Sequence, residues 1–521
     1  MAKSLLNKFG FGHHKQQWLT LSPNIPSQPS FEPYDNQISE LYRYRKHIGV
    51  NLGSLFVLES WLCPSALKNA VKGGHWSSEY DFIASCHDHQ EARELLEHHW
   101  TSFITTRDIE ILREWGINAV RIPIGYWMVE PRSLLLDHPR DCFHAYADVY
   151  DAAFGLLLQL IRACEQNKIG CLIDIHGAPG GQNTDSHCGQ PTSNNKARLF
   201  ATSLSSTSNA SILLTILHRL TELLSPINNI IGIEILNEPT DNASLPGFYE
   251  RACQTVVQAT PPGQHPLPVY IGDSWKPSNY MDIIAHQLSR KKREAHPFIV
   301  LDTHQYFCHT PQDHRLSAQQ HTDKVENKIG PFLLQQGASI RNNIVVGEWS
   351  MVLNGASMKG MDERSTMTAF GETQARVWDK TCAGQFYWTY KTADDKWYWS
   401  MIYCQQQGLL PWLKRTEQRS LPPLDEETVK HQIETHLTYW RNQQADYQAI
   451  EQHVWMFEKG FRKGYQVALQ FRQNASHVGF PSQLAKDYQV EEQWSDKSTD
   501  AFTWQYEQGF IQAISIVESK S

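Results

Sequence analysis

The segment IIGIEILNEPT (residues 230–240) joins an apolar run to a polar end. Its first residues are mostly β-branched, which is typical of a buried strand. The run then ends in Asn237, Glu238 and Pro239. A carboxylate beside a buried strand is costly to desolvate, so its presence there needs a chemical reason. The pattern predicts a core strand that presents an amide and an acid at its carboxyl end.

Similar short apolar segments recur along the chain and alternate with helical patterns such as residues 105–116. Eight β/α units in this alternation predict an α/β fold, a closed (β/α)₈ TIM barrel. A doubly wound sheet is the alternative, but it usually carries a glycine-rich phosphate turn after its first strand, which NLGS (51–54) is not. The predicted strands are residues 48–53, 118–124, 169–177, 230–238, 267–273, 297–304, 343–349 and 384–390.

The chain divides into three predicted regions: a flexible N-terminal arm (1–40), the barrel (41–414) and a C-terminal helical extension packed on the barrel (415–521). Within the extension, WMFEKGFRKGYQVAL (455–469) is echoed by WQYEQGFIQAISIV (504–517). Both segments repeat large apolar residues every four positions, which gives each helix one apolar face. These helices are expected to pack on each other or on the barrel. The alternative is that the extension closes one side of the cleft or docks a partner.

The composition of the chain argues against some classes of binding partner and favours others. The formal net charge of −8 argues against nucleic acid, and 17 tryptophans offer faces on which sugar rings stack. No apolar run reaches the roughly 18 residues of a membrane span, so no transmembrane segment is predicted. The N-terminus lacks the apolar core of a signal peptide, and ten cysteines without a C-x-x-C pair suit reduced thiols. A cytoplasmic location is therefore expected, with organelle import left open.

The active site of a (β/α)₈ barrel lies at the carboxyl ends of its strands. The polar and aromatic side chains at these ends are expected to converge on one mouth. They are Arg121, His176, Asn237, Glu238, His304, Tyr306, Glu348 and Trp388.

The two glutamates in this set indicate glycoside hydrolysis, which needs one carboxylic acid and one carboxylate with different pKa values. The permanent charge of Arg121 is expected to keep Glu348 ionised. Glu238 has no evident cationic neighbour in the sequence, so burial is expected to raise its pKa and keep it protonated. For a single glutamate, an ion pair or a helix N-cap would be the simpler interpretation.

The ordered motifs resemble glycoside hydrolase family 5, within it the exo-1,3-β-glucanase-like (β-glucosidase) branch. The resemblance covers roughly residues 45–405 and rests on several segments. They are GVNLGSLFVLESWL (49–62), GINAVRIPIGYWMVEP (116–131), DIHGAPGGQN (174–183), NEP (237–239), HQY (304–306), VVGEWS (345–350) and YWTYKT with WYWSM (387–401).

This resemblance implies Glu238 as the acid/base and Glu348 as the nucleophile of a retaining mechanism. It implies that Arg121 orients Glu348 and that Asn237 binds the sugar 2-hydroxyl. It also implies that Glu59 and Asp185 hold the outer hydroxyls of a terminal glucose. The remaining implied residues of the glucose subsite are His176, His304, Tyr306 and, as its floor, Trp388.

Two features depart from that branch. The secreted members begin with a signal peptide, and they carry two phenylalanines where this chain has Thr184 and His309. The aglycone side is therefore expected to differ. The predicted substrate is a β-glucoside with a terminal glucose, either a glucolipid, a small-molecule glucoside or a β-1,3-glucan oligosaccharide.

Two other functions on the same fold stay open at this point. One is a carbohydrate-binding or scaffold protein without catalysis, and the other is a transglycosylase. No cofactor and no metal are predicted, because CHDHQ (86–90) lacks the typical zinc spacing. The sequence identifies no protein partner.

Overall fold

The computed structural model describes residues 29–71, 76–190, 196–201, 208–289, 298–392, 397–413, 421–443, 447–492 and 501–519. Residues 1–28 of the predicted arm lie outside these ranges. The predicted end of the arm at residue 40 differs from the structure, because a helix already begins at Asn36. Asp35 caps this helix by accepting hydrogen bonds from the backbone N–H groups of Gln37 and Ile38.

Eight parallel strands form a closed barrel in sequence order, with the last strand paired to the first. The predicted TIM barrel is therefore confirmed. The fourth strand ends at Glu234, four residues earlier than predicted, so Asn237 and Glu238 lie in the loop above it. The strands are β1 (His47–Asn51), β2 (Ala119–Gly125), β3 (Gly170–Gly177), β4 (Ile230–Glu234), β5 (Val269–Gly272), β6 (Ile299–Phe307), β7 (Ile344–Leu353) and β8 (Gly384–Tyr387).

Helices alternate with these strands and bury their apolar faces on the barrel. Up to β4 they are α1 (Asn36–Tyr44), α2 (Ser65–Lys68), α3 (Glu79–Ser85), α4 (His89–Ser102), α5 (Thr106–Glu114), α6 (Pro131–Leu134), α7 (Ala153–Gln166) and α8 (Asn209–Leu224). Between β4 and the end of the barrel they are α9 (Leu245–Ala259), α10 (Pro277–Ser289), α11 (Ala318–Lys324), α12 (Gly330–Gly337), α13 (Glu363–Thr381) and α14 (Met401–Gln406).

The C-terminal extension contains α15 (Glu426–Asn442), α16 (Tyr447–Gln452), α17 (Val454–Gln473), α18 (Pro481–Glu491) and α19 (Trp504–Ser519). Within the described ranges of the chain, no helix has the length and apolar composition that a membrane span requires.

The described part of the extension packs against the amino-terminal end of the barrel. Phe480 is buried in an apolar cluster with Phe298 and Phe386, at the end where the strands begin. Next to it, Val478 forms an isolated β-bridge with Arg45, just before β1. This end lies opposite the carboxyl ends of the strands. These described residues of the extension therefore lie away from the cleft, and closure of the cleft or docking of a partner by the extension stays a prediction.

Helices α17 and α19, which carry the aromatic repeat, cross at glycines. A Cβ atom on Gly460 would lie 2.1 Å from the carbonyl oxygen of Tyr506, and one on Gly464 would lie 2.3 Å from that of Phe510. Backbone atoms cannot move aside as a flexible side chain can, so the helices approach this closely only because these positions lack side chains.

Replacing Gly460 with alanine should therefore destabilise the extension by about 1–3 kcal/mol through overpacking. Urea denaturation followed by tryptophan fluorescence measures the effect. Gly247→Ala in α9 is the matched control, because a Cβ atom there meets nothing within 4 Å. Equal unfolding midpoints for the two variants would show that the close crossing is not required.

Candidate active site

Glu238 and Glu348 approach each other across the barrel mouth. Glu348 lies within β7, and Glu238 follows β4 in the left-handed region of backbone conformation, with φ of +42°. This conformation is strained for a residue with a side chain and is often found at functional sites. One side-chain oxygen of each glutamate and a ring nitrogen of His304 lie within 4.8 Å of one another. An inverting pair, at about 6.5–9.5 Å, would be wider.

The loop after β3 holds the backbone that carries Glu238. Gln182 Nε2 donates to the carbonyl oxygen of Asn237 at 3.1 Å, and Asn183 Nδ2 donates to that of Glu238 at 3.0 Å. Both side chains are buried. Neither residue was predicted as a site residue from the sequence.

Arg121 is fully buried inside the barrel and orients the nucleophile candidate. Its guanidinium donates to Glu348 Oε1 at 2.9 Å and to Asn237 Oδ1 at 2.8 Å. It also donates to Glu234 Oε2 at 2.6 Å and lies 3.2 Å from Asp174 Oδ2. The last two acids lie in β4 and β3 and were not predicted as site residues.

His304 and Tyr306 both project from β6 toward the glutamates. Tyr306 donates its hydroxyl to Glu348 Oε2 at 2.7 Å, so both oxygens of that carboxylate accept a hydrogen bond. His304 Nδ1 lies 2.7 Å from Glu238 Oε1 and 3.5 Å from Glu348 Oε2. His304 is thus a cationic neighbour of both glutamates, and it is closer to Glu238.

The predicted order of acidity is wrong for this site. Burial raises the pKa of Glu238, but the hydrogen bond and charge of His304, with smaller contributions from His187 and His176, outweigh burial and lower it to about 2. Burial raises the pKa of Glu348, and His304 and Arg121 only partly oppose this. The reason is the position of His304, which the sequence could not give.

His176 and Trp388 form one wall of the site. Their rings are nearly parallel, with centroids 5.9 Å apart and an interplanar angle of 6°. Asp174 accepts a hydrogen bond from His176 Nδ1 at 2.6 Å, which leaves Nε2 without a partner among the described residues. That nitrogen is available to a sugar hydroxyl. The peptide bond that follows Trp388 is cis.

The two residues implied to hold outer hydroxyls of glucose differ in their surroundings. Glu59 is buried in the long loop after β1 and accepts a hydrogen bond from Trp61 Nε1 at 2.9 Å. Burial raises the pKa of Glu59 to about 7, although His176 and Trp61 oppose the shift. Asp185 is exposed at the start of a short turn, so the structure does not bring it into the buried cluster.

Two aromatic residues near Glu238 were missed from the sequence. His187, two residues after Asp185, places Nε2 3.7 Å from Glu238 Oε2. Trp275 follows β5 with φ of +61°, is 57% exposed, and packs its ring edge-to-face with His304 at 6.2 Å. Neither lies in a motif that suggested sugar binding.

The positions matching the two phenylalanines of the branch are not a clamp here. His309 stacks on Trp399, with ring centroids 5.9 Å apart and an interplanar angle of 18°. Thr184 is exposed. The aglycone side therefore has a different aromatic surface from the one that the branch pattern implies.

Two groups of described side chains have spacings that could hold a metal ion. One is Glu238, His304 and Glu348, and the other is Glu234, Asp302 and His304. Both share His304. Because His304 already pairs with Glu238, the first group is satisfied as an ion pair, and the absence of a metal stays a prediction.

The barrel segment matches the family model described as cellulase (glycosyl hydrolase family 5) over residues 87–394. The chain belongs to glycosyl hydrolase family 5. The resemblance drawn from the motifs is thereby confirmed, and the protein is a glycoside hydrolase. A second model, the C-terminal domain of glucan 1,3-beta-glucosidase 3, matches residues 424–520 of this family 5 chain.

Curated relatives span nearly the whole of this family 5 protein. Glucan 1,3-beta-glucosidase 3 of Schizosaccharomyces pombe is 29% identical over 90% of this chain and 94% of its own. An uncharacterised glycosyl hydrolase of Saccharomyces cerevisiae is 30% identical over 99% of both chains. Among solved structures, rutinosidase from Aspergillus niger superposes with a TM-score of 0.53 and 20% identity, covering 72% of this chain and 99% of its own. That likeness shows the fold.

Proposed function

We propose that this family 5 protein hydrolyses β-glucosides, releasing terminal glucose by a double displacement that retains the anomeric configuration. The observation that carries the proposal is that one carboxylate oxygen of Glu238 and one of Glu348 lie within 4.8 Å of each other, with His304 beside both residues. A retaining pair needs about 5–5.5 Å between its carboxyl groups, because no water has to fit between nucleophile and sugar.

In the first step, Glu348 attacks the anomeric carbon. Arg121 and Tyr306 hold its two oxygens, which fixes the direction of attack. Glu238 gives a proton to the glycosidic oxygen while the bond from that oxygen to the anomeric carbon breaks. The products are the free aglycone alcohol and a glucosyl ester on Glu348.

The proton for this step lies on the pair formed by Glu238 and His304. The 2.7 Å hydrogen bond between Glu238 Oε1 and His304 Nδ1 lets the proton move without a change in total charge. With the proton on His304, Glu238 is ionised, as in the unliganded site. With the proton on Glu238, His304 is neutral and the acid is ready to donate.

In the second step, water replaces the enzyme at the anomeric carbon. Glu238, now a carboxylate, takes one proton from the water, and the oxygen of that water forms the new bond to carbon. The ester bond to Glu348 breaks and its carboxylate is restored. Two inversions at one carbon leave β-glucose.

The same site supports recognition of a terminal glucose. Arg121 occupies the amide oxygen of Asn237, so the amide nitrogen remains a donor for the 2-hydroxyl. Glu59, His176 and Trp388 supply a buried acceptor, a free ring nitrogen and an aromatic floor. The name of the S. pombe relative, glucan 1,3-beta-glucosidase 3, supports the same substrate class.

A substrate panel tests this proposal. Purified protein is incubated with an aryl β-glucoside, a β-1,3-linked glucose oligosaccharide and a β-glucosyl lipid, and the products are separated by chromatography. Glucose is expected as the released sugar, with each oligosaccharide shortened by one unit at a time. Cleavage at internal bonds, or no cleavage of any member, would contradict the proposal.

We infer that Trp275 is an aromatic platform for the aglycone, since its exposed ring packs against His304, which pairs with Glu238. Trp275→Ala should raise KM for an aryl β-glucoside by about 2- to 10-fold, the value of one aromatic stacking contact. The value of kcat should change less. Trp455→Ala, an exposed tryptophan of the C-terminal extension, is the control. Equal KM values for the two variants would show that Trp275 does not bind the aglycone.

A reducing compartment such as the cytoplasm is also proposed for this protein. All ten cysteines of the sequence are free thiols in the structure, which suits an environment where disulfides do not persist. Cell fractionation with an antibody against the protein tests this. Recovery in the secreted or cell-wall fraction would contradict it.

A further inference from the structure

Beneath the catalytic glutamates lies a second group of acids that the mechanism does not use directly. Asp174, Glu234 and Asp302 lie in β3, β4 and β6, and each is at most 1% exposed. Together with Glu348 they surround one guanidinium, that of Arg121, with closest distances of 2.6 to 3.9 Å. Four buried carboxylates around one such cation are too many negative charges for all of them to ionise.

The hydrogen bonds show which acids are held as carboxylates. Asp174 Oδ2 accepts from His176 Nδ1 at 2.6 Å and lies 3.2 Å from Arg121. Glu348 accepts from Arg121 and from Tyr306. Each of these two acids therefore faces two donor groups, at least one of which is a cation, although both donors near Asp174 lie on Oδ2 and its Oδ1 has no hydrogen-bond partner among the described residues. Such an environment favours the ionised form.

Glu234 and Asp302 have fewer donors. Glu234 Oε2 accepts from Arg121, and Asp302 Oδ1 accepts from the backbone N–H of Gly347 at 2.7 Å. Their other oxygens, Glu234 Oε1 and Asp302 Oδ2, are buried without a hydrogen-bond partner among the described residues. One oxygen of each lies within 4.8 Å of the other and of a His304 ring nitrogen.

A single proton would reduce the excess of negative charge and would also provide a hydrogen bond between the two unpartnered oxygens. We propose that Glu234 and Asp302 hold one proton between them, so that the pair carries one negative charge, and that this charge positions the proton shared by His304 and Glu238. A proton on Glu234 Oε1 makes that oxygen a hydrogen-bond donor. Asp302 Oδ2 can then accept the hydrogen bond, directly or through one water molecule. Burial raises the pKa of Glu234 well above its ordinary value even beside Arg121, which agrees with this assignment.

At most three cations, Arg121, His176 and His304, face the four acids and Glu238, so the excess of acids remains when the other ionisable groups around the pair are included. The two tyrosines among them stay neutral, because burial raises the pKa of each well above its ordinary value. Burial also raises the pKa of Asp273, to about 6, and Thr303 donates to it at 2.6 Å. The groups that face the pair or its direct partners are Arg121, Asp174, His176, Glu238, Tyr249, Tyr270, Asp273, His304 and Glu348.

The charge of the Glu234–Asp302 pair acts on Glu238 through His304. Its Nε2 lies 3.7 Å from Asp302 Oδ2, and its Nδ1 lies 2.7 Å from Glu238. Two negative charges below the ring would hold the proton on His304, whereas a single charge leaves it free to move to Glu238. Glu234 and Asp302 lie beneath the reacting groups and touch no substrate, so both are positioning residues.

Infrared difference spectroscopy tests the shared proton without any assay of activity. At about pH 8, above the range of an ordinary carboxyl group, the wild type should show the carbonyl band of a neutral carboxylic acid. That band should disappear in Glu234→Gln. It should also disappear in Asp302→Asn, because Glu234 then ionises against Arg121. A band unchanged in Glu234→Gln would overturn the proposal, and Glu372→Gln, at an exposed site, is the control.

The pH profile of kcat/KM tests the link to catalysis, and this part rests on the proposed function. Each single variant keeps one negative charge in the pair, so the basic limb of the profile should stay in place. The double variant removes the negative charge of the pair, so the basic limb of the profile should shift to lower pH by about one unit or more. Equal, additive shifts in the single variants would mean that both acids are ionised in the wild type, and would overturn the proposal.

The two tests separate the possible failures. If no β-glucoside is hydrolysed, the proposed function fails, while the infrared result still decides whether the proton is shared. If the double variant does not fold, the infrared spectra of the two single variants, with their melting curves, are sufficient for the decision.

Discussion

Glu348→Gly is expected to lose activity on an aryl β-glucoside by roughly 10⁴-fold or more, the size of effect seen when a nucleophile is removed. Arg121 and Tyr306 hold both oxygens of this carboxylate against the anomeric carbon, and no other described acid is placed to attack from that side. Steady-state release of the aryl alcohol measures the loss.

Added azide sharpens this result. In Glu348→Gly the small anion can enter the space of the lost carboxylate and attack the same face of the sugar, giving the α-glucosyl azide in one inversion. Glu238→Ala should instead give the β-glucosyl azide, since the nucleophile is intact and azide replaces water in the second step. Glu372→Gln should behave as the wild type. If Glu348→Gly gave the β-azide and Glu238→Ala gave the α-azide, Glu238 would be the nucleophile and Glu348 the acid/base.

Arg121→Leu is expected to cost about 3–5 kcal/mol of folding free energy, in addition to activity, because it leaves several buried acids without their cation. The guanidinium is fully buried and lies within 4 Å of Asp174, Glu234, Asp302 and Glu348. Urea denaturation followed by tryptophan fluorescence measures the change in the unfolding midpoint. The loss should be smaller at low pH, where the uncompensated acids take up protons.

Arg107→Leu is the control for that experiment. Arg107 pairs with Glu110 and Glu114 on the exposed face of α5, where water screens the charges. Its removal should leave the unfolding midpoint unchanged within error. If Arg121→Leu unfolds at the same urea concentration as this control, the buried acids must be neutral without Arg121, and the proposed charge balance of the site is wrong.

The sequence was sufficient for the barrel because the signal is repeated. Each strand contributes a short apolar run that ends at a polar or aromatic residue, and eight such units have few alternative arrangements. The carboxyl ends of the strands then locate the site. Glu238 and Glu348 were found in this way, since an acid directly after an apolar run is conspicuous.

The charge state of the site was not accessible from the same pattern. Asp174, Glu234 and Asp302 lie inside predicted strands, where a single acid is easily taken for a solvated or edge position. Whether such an acid is ionised depends on its donors, and these come from other strands. The reversal of the predicted pKa order has the same origin, because His304, in β6, and Glu238, after β4, are brought together only by the fold.

Loops were the other source of error. The sequence does not show which side chains of these loops turn inward. Gln182 and Asn183 hold the backbone of Asn237 and Glu238, while Asp185, implied by the resemblance, is exposed. Such choices depend on a few backbone angles, which local composition does not determine.

The anomeric form of the first product tests the central mechanism most directly. Proton NMR follows the hydrolysis of an aryl β-glucoside from the first minutes, before mutarotation mixes the anomers. The approach of Glu238 and Glu348 predicts that β-glucose appears first and that α-glucose follows only at the rate of mutarotation. If α-glucose appears first, the reaction inverts, and the assignment of Glu348 as a covalent nucleophile is contradicted.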